Sequence, residues 1–220
     1  MSVSLPNIRK LFLPDHGYTM FDVDLAGADA QVVAWEAEDE PLKAAFRAGL
    51  DVHSQNAIDM MGTRFSSLSV DDPLRKKLRA QNNHAVHGTN YGGSARTLAQ
   101  ILGWTVHETE AFQHRWFSAH PGIKAWHHRT EMALRTTRTI HNAFGYRRIY
   151  FDRVDALLPQ ALAWVPQSTV ALVCFRGALA ATARTYAPPG KKGNGGLLIY
   201  IYRVRLSPCQ FLSCAFPAPT

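Results

Sequence analysis

The segment FDVDLAGADAQVVAWEAEDEPLKAAFRAGLDVH, residues 21–53, constrains the fold more than any other stretch of this chain. It opens on a strict alternation. Phe21, Val23 and Leu25 fall on one face and Asp22 and Asp24 on the other, the period-two pattern of a half-buried strand. Helical patterning follows from about Ala30 to Arg47, and a turn marked by Gly49, Asp51 and His53 closes the segment. A carboxylate on a rigid strand beside a helix suits a hard divalent cation, because Mg²⁺ commonly takes one or two protein carboxylates plus substrate phosphates. Asp24 is therefore the candidate metal ligand. It needs a partner carboxylate elsewhere in the chain.

Charge points in the direction of a polyanion, but unevenly. The formal net charge is +7, with 24 Lys and Arg against 17 Asp and Glu. All the acidic residues lie at or before Asp155, while Arg176, Arg184, Lys191, Lys192, Arg203 and Arg205 follow it, so most of the excess belongs to the tail. Cys174, Cys209 and Cys214 are an odd number without metal-ligand spacing, which argues against both a disulfide framework and a zinc knuckle. No run of about 18 uninterrupted apolar residues and no leader-like start is present, so the expectation is a soluble, cytoplasmic chain with no membrane partner. At 220 residues and 46% apolar content it can bury one sizeable core or two small ones.

Residues 5–35 form a short β-rich opening, with a turn at Asp15, His16 and Gly17. A polar turn through Val70, Asp71, Asp72 and Pro73 precedes a long helix to about Asn90, with Asp72 as N-cap and Pro73 in the first turn. Further helices cover about 94–102, 106–118 and 121–138, separated by Gly103 and by the turn His120, Pro121, Gly122. Asn142 to Arg148 reads as a hairpin or loop, and 155–186 as helix. Pro188, Pro189, Gly190, Gly193, Gly195 and Gly196 then make a breaker-rich linker before LLIYIY, which has strand character.

On the long helix, Arg79, Asn83, His87 and Tyr91 recur at every fourth position in LRAQNNHAVHGTNYGG. Such a stripe drifts only about 40° per step and stays on one side for about 18 Å. Arg79 offers a fixed fork for phosphate oxygens, and the two rings can lie against a sugar or base. Spacing alone leaves two readings open: a nucleotide-binding face, or a solvated face with a tyrosine anchored at the helix end.

These motifs together resemble family A DNA polymerases. The acidic strand is similar to the family's first palm motif, with Asp24 at the metal-binding aspartate, Asp29 where a glutamate is usual, and Asp51-Val52-His53 at the Asp-Ile-His. The long helix resembles the fingers helix that grips the incoming nucleotide: Arg79 matches the triphosphate-binding arginine, His87 the aromatic that lies against the sugar, and Tyr91 with Gly92 the Tyr-Gly. NAFGYRR and ALAWVPQST extend the likeness, with Gln167 at a glutamine that touches the primer–template minor groove. AVHGTNYGG is closest to the phage-like form. The likeness runs from about residue 5 to 180.

The resemblance implies an α/β (α+β) fold, an antiparallel palm sheet with a mainly helical fingers subdomain, as an incomplete polymerase domain. Residues 1–186 would be the partial palm and fingers, and 187–220 a linker and divergent tail. It implies template-directed DNA synthesis with primer–template DNA and deoxynucleoside triphosphates as partners, catalytic roles for Asp24, Arg79, His87 and Tyr91, and nucleotide contacts from Leu25, Asp29 and His53. Two Mg²⁺ ions would clamp the attacking and leaving oxygens, with Asp24 as a ligand and the Leu25 carbonyl beside it. Asp29 would act as a steric gate against ribose. Gln167 would test base-pair geometry without reading identity, since minor-groove acceptors are common to all pairs. No processivity partner is indicated.

Two departures bear on activity. Asn83 stands where the family carries a lysine that contacts phosphate and protonates the leaving pyrophosphate, and an amide supplies neither charge nor acid. In GGLLIYIYRVRLSP, Tyr202 and Arg203 align with the His-Asp pair whose aspartate is the second metal ligand, and no Asp, Glu or His follows Asp155. Codon degeneracy lets residues 202–207, read one nucleotide later, spell Ile-Val-Tyr-Asp-Ser-Leu, so a frameshift would account for the tail. The alternative is a non-catalytic nucleic-acid-binding remnant of such a polymerase. The pairs His84/His87 and His127/His128 lack a completing Cys or Glu at zinc spacing. Trp116, Phe117, Ile123 and Trp126 read as core.

Overall fold

The computed structural model describes residues 25–185, the strands at 21–23 and 200–202, and Leu13 and His16. The described chain forms β1 (Phe21–Val23), α1 (Ala28–Glu36), α2 (Glu40–Arg47), α3 (Val52–Met61), α4 (Thr63–Ser66), α5 (Pro73–Asn90), α6 (Ala95–Leu102), α7 (Val106–Ala119), α8 (Pro121–Thr136), β2 (Thr139–His141), β3 (Arg147–Ile149), α9 (Val154–Thr185) and β4 (Tyr200–Tyr202). It divides into two compact units. One takes β1, Leu25, Ala26, α9 from Ala171 onward and β4; the other is Gly27–Val170.

In the first unit β1 and β4 pair in parallel, with Phe21 opposite Tyr200 and Val23 opposite Tyr202. The resemblance implied an antiparallel palm sheet without assigning this strand a neighbour. Antiparallel neighbours need only a hairpin, whereas a parallel pair needs a long crossover, and the whole intervening chain supplies it. The antiparallel ladder lies in the second unit, where β2 faces β3 with Ile140 opposite Arg148. The fold is α/β and mostly helical.

Capping chemistry divides the second unit into short helices. The single helix expected over 30–47 is two, because Asp39 accepts the Leu42 N–H at 3.1 Å as N-cap of α2 and Pro41 has no N–H to continue a helix. Glu38, between them, takes a left-handed φ of 54°. The helices α3 and α4 lie where sequence patterning marked only a turn; Asp51 caps α3 through Ser54 N at 3.3 Å. Asp72 caps α5 as expected, accepting from Leu74 N at 2.7 Å with Pro73 next to it. Thr105 and Glu108 close a reciprocal capping box on α7.

These helices enclose one main core. Val33, Trp116, Ile123, Leu134 and Leu162 are fully buried in it, and Trp126 is nearly so, with Phe117 packed against it. A smaller cluster joins Ala57, Phe65 and Leu78. Polar ties pin the core: Trp116 Nε1 donates to Asn90 Oδ1 at 2.7 Å, His127 Nε2 lies 2.7 Å from the Asn90 carbonyl, and His120 Nδ1 lies 2.9 Å from Asp39 Oδ1. Within α9, residues 156–180 are long and apolar enough to cross a membrane by length and composition. Leu157, Ala161, Leu162 and Val165 of that stretch belong to the main core.

Candidate functional site

The α5 stripe is built as its four-residue spacing requires, and neighbouring helices determine what each member touches. Tyr91 is the C-cap of α5, and Gly92 turns the chain with φ 71°. A Cβ on Gly93 would stand 2.8 Å from the Gly88 carbonyl oxygen, so only glycine permits this tight corner into α6. Tyr91 is buried, and its hydroxyl donates to Asp29 Oδ2. His87 Nδ1 lies 3.2 Å from the same oxygen. The His87 ring is 6.1 Å from the Tyr91 ring and 6.1 Å from the His53 ring. Asp29 of α1, His53 of α3, and His87 and Tyr91 of α5 thus form one cluster.

Its electrostatics follow from burial and from neighbouring charge. Burial raises Tyr91 well above the ordinary phenol value of 10.0, and the Asp29 carboxylate adds to this, so the hydroxyl stays a donor. Burial likewise lowers His53 below 6.5, helped by the nearby His87 and Arg79, leaving a neutral imidazole at neutral pH.

Arg79, nearly two turns from the helix start, points at Asp51. Its Nη2 donates to both Asp51 oxygens, at 2.8 and 2.9 Å, and its Nε donates to Ser54 Oγ at 3.0 Å. Burial pushes the Asp51 carboxyl up, but the hydrogen bonds from Arg79 and Ser54, with the guanidinium charge, prevail and hold it at about 2. Sequence reasoning marked Asp51 as part of a motif without assigning it a partner, and it did not single out Ser54. The signal available was Asp51 and Ser54 at N-cap spacing, which aims both side chains at one place.

The other sequence candidates are placed more loosely. Asn83 keeps the stripe position between Arg79 and His87, and its Oδ1 is buried with no hydrogen-bond partner among the described residues. Gln167 of α9 likewise has a buried, unpartnered Nε2 among the described residues. Leu25 belongs to the other unit and has an exposed side chain. Asp24, the expected metal ligand, lies outside the described residues, as do Arg203 and the rest of the tail; Tyr202 falls in β4. No group of three His, Cys, Asp or Glu side chains gathers as a metal site among the described residues. A groove of about 830 Å³, lined by Lys77, Leu78, Gln81, Trp104 and Arg115 among others, opens elsewhere on α5, and none of the stripe residues lines it.

A buried tyrosine and a histidine converging on one carboxylate, with an arginine on the same helix face, is an arrangement that can hold a phosphorylated ligand bearing a ring. Comparison with known proteins agrees with the motif reading. The chain belongs to DNA polymerase family A, whose model matches residues 3–163. It is 36% identical over 145 residues to the thermostable DNA polymerase I of Thermus filiformis, and 31% identical over 149 residues to DNA polymerase I of Pseudomonas aeruginosa. Those matches cover 66% and 68% of this chain but only 17% and 16% of the relatives, so the chain spans about a sixth of their length. In fold it is similar to the POL domain of Pol1 from M. smegmatis, solved in complex with DNA primer-template and dNTP. That likeness has a TM-score of 0.61 at 23% identity and covers 80% of this chain and 32% of that one.

Proposed function

We propose that this chain is the nucleotide-gripping palm and fingers portion of a DNA-directed DNA polymerase, and that it works in template-directed DNA synthesis on primer–template DNA with deoxynucleoside triphosphates. The observation that carries the reading is the face of α5, where Arg79, His87 and Tyr91 line up and Asp29 ties the two rings to α1. Polymerisation is phosphoryl transfer, in which a protein mainly positions its reactants and stabilises charge. Arg79 takes the terminal phosphates, and the His87 ring lies against the sugar. Asp29, pinned by Tyr91, stands where a 2′-hydroxyl would be, one methylene short of the glutamate that the family resemblance leads one to expect. Gln167 supplies an amide donor to the minor groove, consistent with its buried Nε2 having no partner among the described residues.

Mg²⁺, when bound, would supply the charge stabilisation at the attacking and leaving oxygens, with Asp24 as its ligand. The described carboxylates do not fit that role as they stand. Asp29 is engaged by Tyr91 and His87, and Asp51 by Arg79.

A second reading, a nucleic-acid-binding remnant without turnover, is favoured by Asn83 in the lysine position and by Tyr202 and Arg203 in place of the His-Asp pair. Primer extension with Mg²⁺ and all four deoxynucleoside triphosphates separates the two. Extension supports the polymerase reading; retained primer–template binding with no extension supports the remnant; loss of both contradicts the family function for this chain.

A further inference from the structure

Arg79, the residue on which the proposed triphosphate site depends, is engaged before any ligand arrives. Its Nη2 bridges both oxygens of Asp51, its Nε is held by Ser54 Oγ, and Ser54 Oγ in turn donates to Asp51 Oδ2 at 2.7 Å. The holding carboxylate is not a wandering surface group. As N-cap of α3 it also accepts the Ser54 N–H at 3.3 Å, so the helix start fixes where the anion stands. The pair is open to water, with side-chain exposures of 40% for Arg79 and 52% for Asp51. An incoming anion can therefore reach the guanidinium without unfolding anything.

We infer that Asp51 is a built-in competing anion of the nucleotide site, which holds Arg79 before a ligand arrives and so lowers the affinity for any ligand that must take the guanidinium, a triphosphate above all. The inference rests on the proposed nucleotide-binding role of the α5 face. The geometry favours competition over mere support. A guanidinium whose Nη2 is shared between two carboxylate oxygens and whose Nε is held by a hydroxyl must break those hydrogen bonds to offer that edge as a fork to phosphate. A ligand that uses Arg79 meets this cost, and one that stops short of Arg79 does not. An exposed pair is also weak enough to be exchanged, since such ion pairs are commonly worth well under a tenfold change in equilibrium. A triphosphate brings several negative charges to the exchange. A nucleoside brings none, and it gains nothing if Arg79 is released.

The test is calorimetric titration of the full chain with a deoxynucleoside triphosphate and, separately, with the corresponding deoxynucleoside. Asp51→Asn is the informative variant, because asparagine caps a helix about as well as aspartate and so keeps α3 in place. The expected result is about a fivefold gain in triphosphate affinity, the upper end for an exposed pair, with deoxynucleoside affinity unchanged. Ser54→Ala, which releases Arg79 Nε and also removes a donor from Asp51 Oδ2 but leaves both Nη2 contacts to the carboxylate, should change triphosphate affinity less than Asp51→Asn does. Equal triphosphate affinity in wild type and Asp51→Asn overturns the inference while leaving the nucleotide site standing, and so does weaker binding by the variant, which would make Asp51 an orienting residue. Triphosphate binding by neither protein overturns both the inference and the site.

Discussion

The Tyr91 hydroxyl donates to Asp29 Oδ2 across 62 residues of sequence, joining the end of α5 to the first turn of α1. His87 shares that oxygen, so a single carboxylate atom fixes both rings of the proposed sugar pocket. Tyr91→Phe keeps the ring and removes the donor. Urea denaturation should show a loss of about 1–2 kcal/mol, the usual consequence of depriving a partly buried charged acceptor of one hydrogen bond. An unchanged midpoint would mean that the hydroxyl does not hold Asp29.

Acid should loosen the fold below neutrality. Burial lowers both His53 and His127 from the ordinary 6.5. The unfolded chain therefore binds more protons than the native one in that window, and the stability present above pH 6.5 declines as pH falls through it. Glu36, raised from 4.5 by burial, works with the opposite sign above that value. Asp51, held at about 2, adds a further loss below 3.8. Urea midpoints between pH 7.5 and 5.5 should therefore fall, and His127→Gln, which keeps a donor to the Asn90 carbonyl, should flatten the decline. A midpoint that rises with acid contradicts this account of the buried imidazoles.

Gly122 separates propensity from packing. Alanine there should favour the first turn of α8 by up to about 1 kcal/mol. A Cβ would however stand 2.6 Å from the Ala37 carbonyl oxygen and 3.1 Å from Asp39 Cα, and backbone cannot swing aside as a side chain can. Overpacking of this kind costs about 1–3 kcal/mol, so Gly122→Ala should destabilise. Thermal melting reads the sign directly.

Asn83→Lys should restore chemistry rather than stability. It places an ammonium one turn beyond Arg79 and removes a buried amide oxygen that has no partner among the described residues. In primer extension with Mg²⁺ the variant should outpace wild type by about a hundredfold, the low end for a positioned general acid. Equal rates would count against the lysine-position argument.

Much of this was legible in sequence. Asp72-Pro73 announced α5 to the residue because an acceptor followed by a proline has few other uses, and four-residue spacing was enough to place Arg79, Asn83, His87 and Tyr91 on one face. The break between α1 and α2 was missed although Asp39 and Pro41 signal it, because the apolar pattern runs through the gap. The helices α3 and α4 were missed for a related reason: Gly49, Asp51 and His53 read as a turn and hid the helix that Asp51 caps. The partnership of Arg79 with Asp51 spans 28 residues and depends on how α3 packs on α5, which local patterning does not encode. The parallel sense of β1 and β4 is likewise a property of the crossover and not of either strand.

The central claim is that Arg79 on the α5 face receives the phosphates of a nucleotide. Calorimetric titration of wild type and Arg79→Ala with a deoxynucleoside triphosphate and with the bare deoxynucleoside tests it most directly. The account predicts that Arg79→Ala weakens triphosphate binding by about tenfold or more, as loss of charge-assisted hydrogen bonds should, and leaves nucleoside binding as it was. Triphosphate affinity that is the same with and without Arg79 would contradict it.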